Sequence, residues 1–111
     1  MILSYMDTKK LFDVSGKVII LTGASGFLGT QFAEGLSQAG AHVVLADTNF
    51  KRCKELELKF KKKYNASPLA VNLDVTSKKS IKNMISKILK KYSKIDVLIN
   101  NEAFQGTVGK K

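Results

Sequence analysis

Three glycines that follow a short apolar run constrain the fold of this chain more than any other feature. The apolar run covers residues 18–21, and the glycines are Gly23, Gly26 and Gly29. After them the apolar residues recur at the spacing of a helix. A strand, a glycine-rich turn and a helix in this order are typical of a unit that binds a dinucleotide.

Each of these glycines has a predicted physical role. Gly23 allows a tight turn after the strand, Gly26 lets a pyrophosphate approach the backbone, and Gly29 lets the helix pack closely on the strand. The N–H groups and the positive dipole end of the helix then attract the phosphates. A glycine-rich turn that binds nothing is the alternative. A Walker phosphate loop is excluded, because the sequence contains no Gly-Lys-Ser/Thr.

Apolar runs and amphipathic stretches alternate along the rest of the chain. The predicted strands are 18–22, 41–46, 69–73 and 95–100, and the predicted helices are 28–39, 50–64 and a third that ends near Tyr92, after a cap at Thr76 or Ser77. This alternation predicts an α/β fold, a Rossmann-type doubly wound parallel sheet of order 3-2-1-4. The cofactor crevice is expected where the order reverses, at the carboxyl ends of strands one and four.

Length and charge limit the classes of function. The 111 residues predict one domain: a lead-in over 1–16, a dinucleotide-binding half-domain over 17–103 and a short basic tail over 104–111. The net charge of +10 would suit nucleic acid, but all except one of the 19 basic residues are lysines. Because specific recognition favours arginine, we expect solvated helix faces and no specific nucleic acid partner. A basic nucleic-acid-binding domain is the less favoured alternative.

The remaining composition predicts a cytoplasmic location and no membrane partner. The single Cys53 cannot form an internal disulfide, and no apolar run approaches the length of a membrane span. We interpret Cys53 as a small apolar residue of a helix and His42 as a surface residue of a strand. No pattern of His, Cys, Asp or Glu predicts a metal site.

Asp47 ends the second predicted strand and indicates the cofactor. A carboxylate there accepts hydrogen bonds from the adenosine ribose hydroxyls and repels a 2′-phosphate, which favours NAD over NADP. Thr48 follows it, and no basic residue adjoins the turn. A helix-capping role is the alternative for Asp47, and the same alternative holds for Asp74 at the end of the third strand.

Four segments taken together resemble the short-chain dehydrogenase/reductase family: TGASGFLG at 22–29, Asp47, NLDV at 72–75 and DVLINN at 96–101. The resemblance implies a site with Gly23, Ser25, Gly26, Phe27, Leu28 and Gly29 at the pyrophosphate, Asp47 at the adenosine ribose, Asp74 and Val75 at the adenine, and Asn100 and Asn101 at the sheet edge and the nicotinamide-side ribose.

Two departures from the family's motifs leave the branch of the family open. Phe27 stands where the compact branch has a glycine, so the spacing TGxxGxxG resembles the extended branch. The asparagine pair resembles the compact branch, whose motif is NNAG. Glu102 and Ala103 occupy its last two places, and Glu102 puts a carboxylate beside the cofactor.

The family's catalytic Ser and Tyr-x-x-x-Lys are expected after strand four, and the sequence has no match for them there. Tyr5 and Lys9 have the right spacing but precede the first strand, so no catalytic residue is assigned. We expect the NAD-binding portion of an oxidoreductase for an alcohol or carbonyl substrate, such as a sugar. Truncated after strand four, it would be inactive alone and would self-associate through the open strand-four edge. A non-catalytic NAD-binding or interaction module is the alternative.

Overall fold

The computed structural model describes residues 10–102, in which strands and helices alternate. The strands are β1 Val18–Thr22, β2 His42–Asp47, β3 Leu69–Asn72 and β4 Val97–Ile99, and the helices are α1 Phe27–Gln38, α2 Phe50–Lys63 and α3 Lys78–Tyr92. All strand pairs are parallel, and the sheet order is β3-β2-β1-β4. The predicted fold class and strand order are therefore confirmed. Tyr5, Lys9, Ala103 and the predicted tail lie outside the described residues.

The inner strands β1 and β2 are buried on both faces, which explains their nearly continuous apolar runs. All five residues of β1 are buried. Ile19 and Leu21 pack into one core cluster with Cys53, Leu56 and Phe60 of α2. The other face carries a second cluster, which is formed by Val18, Ile20, Val44, Ala46, Val71, Leu73, Met84 and Ile88. One set of alternate β1 residues thus faces α1 and α2, and the other set faces α3.

Several element ends differ from the prediction by one or two residues. Helix α1 begins at Phe27 rather than Leu28, because Gly26 is its N-cap residue. Gly40 follows the helix with a φ of +93°, in the left-handed conformation that the sequence predicted there. Strand β4 is shorter than predicted at both ends. Just before it, the Asp96 carboxylate accepts the Val18 N–H at 2.8 Å, while the Asp96 N–H donates to the Val18 carbonyl at 2.9 Å.

The two edges of the sheet differ in how they are covered. At the β3 edge the carboxylate of Glu57 accepts the N–H of Ala70 at 2.8 Å and contacts Lys54 Nζ at 2.7 Å. Burial raises the pKa of Glu57, but Lys54 and the Ala70 N–H outweigh burial and hold it below its usual value. At the other edge β4 pairs only with β1 among the described residues, and Leu98 is 58% exposed. Among residues 10–102, the β4 edge is therefore the more exposed of the two.

The surface helices carry much of the positive charge. The last turn of α2 contains Lys61, Lys62 and Lys63, and the last turn of α3 contains Lys90 and Lys91. These lysines are exposed, as the sequence predicted for its lysine clusters. Among residues 10–102, no helix combines the length and the apolar character that crossing a bilayer requires.

Candidate functional site

The glycine turn between β1 and α1 forms the floor of the candidate site. Gly23 has a φ of +65°, and a Cβ there would lie 3.0 Å from the carbonyl oxygen of Asn101. A Cβ on Gly29 would lie only 2.1 Å from the carbonyl oxygen of Gly23. A Cβ on Gly26 would meet nothing nearer than that same oxygen, at 3.5 Å. The fold itself requires glycine at the first and third positions, whereas the space above the second is open.

Helix α1 presents unpaired N–H groups directly after this turn. The N–H of Thr30 donates to the carbonyl of Gly26 at 2.9 Å and begins the helical hydrogen-bond ladder. The N–H groups of Phe27, Leu28 and Gly29 precede that ladder and have no helical acceptor. Gly26 provides no side-chain cap, and the first turn has no acidic residue. This helix start has the geometry and the polarity that an anionic phosphate requires.

Asp47 ends β2 and is held against the glycine turn by Ser25. Its Oδ2 accepts the Ser25 hydroxyl at 2.6 Å and the Ser25 N–H at 3.1 Å. Its Oδ1 accepts the N–H of Asn49 at 3.3 Å. Burial raises the pKa of Asp47, but these hydrogen bonds outweigh burial, so the pKa lies below its usual value. The carboxylate is therefore ionised at neutral pH and available as an acceptor.

Neither strand-end aspartate is the N-cap residue of the helix that follows it. Asn49 caps α2 by accepting the N–H of Arg52, and Ser77 caps α3 by accepting the N–H of Ser80. Asp74 instead accepts the N–H and the hydroxyl of Thr76, at 2.9 and 2.6 Å. The Thr76 hydroxyl and then its N–H hold the pKa of Asp74 below its usual value.

The chain after β4 is fixed to the end of β1 through the hydroxyl of Thr22. That oxygen accepts the N–H of Asn101 at 2.9 Å and the N–H of Glu102 at 3.1 Å. It also lies 3.5 Å from the side-chain oxygen of Asn100. The Asn101 amide in turn donates to the carbonyl of Gly23 at 3.3 Å. Thr22 thereby joins the two strand ends at which the order of the sheet reverses.

These elements enclose a cavity of about 360 Å³ at the carboxyl ends of the strands. Its lining consists of Gly23, Ser25, Gly26, Phe27, Leu28, Gly29, Asp47, Asn101 and Glu102. Eight of the eleven predicted site residues thus lie around one cavity. Asp74, Val75 and Asn100 are not part of its lining. Their proposed contacts with a cofactor stay predictions.

A second cavity of about 300 Å³ adjoins the first and contains a basic residue that sequence spacing did not associate with the site. Arg52 of α2 lines it together with Ser25, Gly26, Phe27, Thr30 and Gln31. No basic residue adjoins Asp47 in the sequence, yet the fold places this one near the turn. The Arg52 guanidinium lies 3.3 Å from Glu55 Oε1, in an exposed pair.

Other reactive side chains in the described part of the chain lie away from this cavity. Tyr64 donates to Glu34 at 2.7 Å, and Tyr92 donates to the carbonyl of Ser67. Cys53 is fully buried, and burial raises the pKa of its thiol to about 12. Among residues 10–102, no group of His, Cys, Asp and Glu is arranged to hold a metal ion.

A comparison with known protein families identifies the family of this chain. The family model for short chain dehydrogenases matches residues 17–110. The chain belongs to the short-chain dehydrogenase family. Members of this family bind NAD or NADP.

Its relatives include several enzymes of sugars and other alcohols. The short chain dehydrogenase/reductase dpmpG of Macrophomina phaseolina is 33% identical over 82% of this chain. L-sorbose reductase from Gluconobacter frateurii, complexed with NADPH and L-sorbose, superimposes with a TM-score of 0.78 at 30% identity over 84% of the chain. NAD⁺-bound xylitol dehydrogenase superimposes with a TM-score of 0.76, also at 30% identity over 84% of the chain. The chain spans 52% of the first protein's length and 35% of each of the other two.

Proposed function

We propose that this chain binds NAD(H) as the cofactor-binding part of an oxidoreductase that acts on an alcohol or carbonyl compound, such as a sugar. The observation that carries the proposal is the set of unpaired N–H groups at the start of α1. These groups lie above Gly26, in one cavity with the ionised carboxylate of Asp47. Bound nicotinamide would supply the hydride chemistry. Relatives that act on L-sorbose and xylitol support the substrate class.

The residues present fit such a cofactor. The N–H groups of Phe27, Leu28 and Gly29 would hold the pyrophosphate, because the open space above Gly26 admits it. Asp47 would accept the hydroxyls of the adenosine ribose. Ser25 positions that carboxylate through two hydrogen bonds, and its hydroxyl would give way to a ribose hydroxyl.

Replacing Asp47 tests whether this residue makes the chain prefer NAD(H) to NADP(H). We expect NAD(H) to bind more tightly than NADP(H), because the carboxylate repels a 2′-phosphate. Asp47→Ala should weaken NAD binding by about 1–3 kcal/mol, through the loss of hydrogen bonds to a charged acceptor. Calorimetric titration of both variants with NAD and NADP measures these differences. Equal or tighter NADP binding by the unaltered chain would contradict the assignment of Asp47.

Arg52 favours a second candidate function, which is the use of NADP(H). A guanidinium near the turn can neutralise a 2′-phosphate, because it forms bidentate hydrogen bonds to phosphate oxygens. If Arg52 binds this phosphate, Arg52→Ala weakens NADP binding and leaves NAD binding unchanged. Glu55→Ala is the matched control, because it removes only the partner of the exposed ion pair.

The open β4 edge leads to a prediction about the 111-residue chain alone. We expect it to self-associate, because β4 is apolar and pairs on one side only among residues 10–102. We expect no dehydrogenase turnover, because the sequence has no match for the family's catalytic Ser and Tyr-x-x-x-Lys after strand four. Light scattering and an NADH absorbance assay over a panel of alcohols and ketones measure the two properties. Leu98→Lys should shift the chain toward a monomer, since an edge lysine opposes strand pairing.

Leu58→Lys provides the control for that experiment. Leu58 lies in α2 and is 57% exposed, which nearly equals the exposure of Leu98. The Leu58→Lys substitution should leave the association unchanged, because Leu58 lies away from the sheet edge. A monomeric wild-type chain with turnover would overturn this prediction.

Simple measurements distinguish two alternative functions from the oxidoreductase function proposed above. A non-catalytic NAD-binding module would bind NAD without turnover even when joined to the remaining family elements. A nucleic-acid-binding domain would be retained on a nucleic-acid column in a salt-dependent manner, through lysines such as Lys61 and Lys90. We also propose the cytoplasm as the compartment of the chain.

A further inference from the structure

Glu102 places a second carboxylate on the cavity that we assign to the dinucleotide. Its backbone is fixed at the end of β1, because its N–H donates to the Thr22 hydroxyl at 3.1 Å. The neighbouring N–H of Asn101 donates to the same oxygen. Glu102 lines the cavity together with Gly23 and Asp47. The backbone of Glu102 is therefore fixed beside the turn, and its exposed side chain lies on the cavity.

The surroundings of Glu102 disfavour the ionised form of its carboxyl group. Asp47 and Glu102 are the two titratable groups in the lining, since the glycine turn and the first turn of α1 contribute none. Arg52 of α2 lies on the neighbouring cavity. Burial raises the pKa of Glu102, and the charge of Asp47 raises it further, against a smaller lowering by the Gly23 N–H. These two negative charges therefore act together on whatever enters the cavity.

We propose that Glu102 determines the affinity of this site by opposing the dinucleotide pyrophosphate, so that binding of NAD(H) is coupled to uptake of a proton from solvent by this carboxyl. The inference rests on the proposed function. A bound pyrophosphate favours the neutral form of Glu102 for the same reason that Asp47 does. Glu102 is therefore protonated at higher pH in the complex than in the free chain.

The sign of the pH dependence follows from this linkage. The complex holds a proton at pH values where the free chain has lost it, so lowering the pH through that window strengthens binding. Once the pH is below the pKa of the carboxyl in the free chain, lowering the pH further no longer decreases the dissociation constant. Asp47 does not reverse this trend, because its pKa is lowered and it stays ionised over the same window.

Titration of Glu102→Gln with NADH tests the proposal. The unaltered 111-residue chain, Glu102→Gln and Glu102→Asp are titrated by NADH fluorescence between about pH 5 and pH 8. Circular dichroism at each pH verifies that each protein is folded. Glu34→Gln is the matched control, since it removes a carboxylate that binds Tyr64 and Lys63, neither of which lines the cavity.

We expect Glu102→Gln to lower the dissociation constant roughly three- to tenfold at neutral pH, through the loss of one nearby negative charge. It should also remove the pH dependence, whereas Glu102→Asp and Glu34→Gln keep it. A folded Glu102→Gln with unchanged or weaker binding, or with the original pH dependence, would overturn the inference alone. If the folded wild type and Glu102→Gln both fail to bind NADH, the proposed function fails with it.

Discussion

Gly29→Ala is expected to destabilise the chain by about 3 kcal/mol or more, because the added Cβ overlaps a backbone atom. An ideal Cβ at this position lies 2.1 Å from the carbonyl oxygen of Gly23 and 2.9 Å from its carbonyl carbon. No change of rotamer relieves a contact between a Cβ and the backbone. The start of α1 must therefore move away from the turn. Urea unfolding followed by circular dichroism measures the lost free energy.

Gly35→Ala is the matched control in the same helix. A Cβ at Gly35 meets no atom within 4 Å, so the substitution adds no clash. Replacing glycine by alanine inside a helix is expected to stabilise the chain by about 0.5–1 kcal/mol. The two substitutions add the same methyl group and should act with opposite sign. Equal stabilities of the two variants would show that α1 does not pack on the turn as described.

Gly26→Val is expected to leave the chain folded and to remove measurable NAD binding. The backbone at Gly26 has a φ of −75° and a ψ of 175°, which valine adopts readily. The nearest atom to its Cβ lies at 3.5 Å, and loss of a glycine N-cap costs about 1 kcal/mol. The side chain would fill the space above the free N–H groups. Loss of two hydrogen bonds to the pyrophosphate would weaken binding by about 3 kcal/mol or more.

Comparison of unfolding and binding separates the two roles of this turn. Calorimetric titration with NAD and urea unfolding are measured on wild type, Gly26→Ala and Gly26→Val. The smaller alanine should weaken NAD binding less than valine, at a similar cost in stability. Unchanged NAD affinity in a folded Gly26→Val would indicate that the turn is only structural.

The strand and helix pattern and the form of the turn were predictable because they depend on local chemistry. Strands buried on both faces are apolar throughout, as residues 18–22 are, and amphipathic helices alternate with them. The positive φ of Gly23 and of Gly40 follows from the conformational freedom of glycine, which has no Cβ. Parallel strands joined by right-handed crossovers then allow few topologies. The position of Asp47 at the crevice follows from that topology.

Helix and strand ends were less predictable because single side chains decide them. At the start of β4 the Asp96 carboxylate accepts the Val18 N–H, so a side chain supplies one of the two hydrogen bonds between these residues. Asn49 is the N-cap residue of α2, although Asp47 had the same chemistry, whereas the cap of α3 at Ser77 is one of the two that the sequence predicted. A cap depends on which oxygen reaches the free N–H, and several nearby residues offer one.

By itself, the sequence determined the fold class and the glycine turn, since periodicity and backbone preference act over a few residues. Right-handed crossovers between parallel strands then limited the strand order. Only the tertiary structure decided which distant groups share a cavity. It brings Arg52 near the turn, joins Glu102 to Thr22 and leaves Asp74 outside the lining. These contacts depend on packing between elements that lie far apart in the chain. A shift of a few ångströms makes or breaks a hydrogen bond, and local patterns do not specify position that finely.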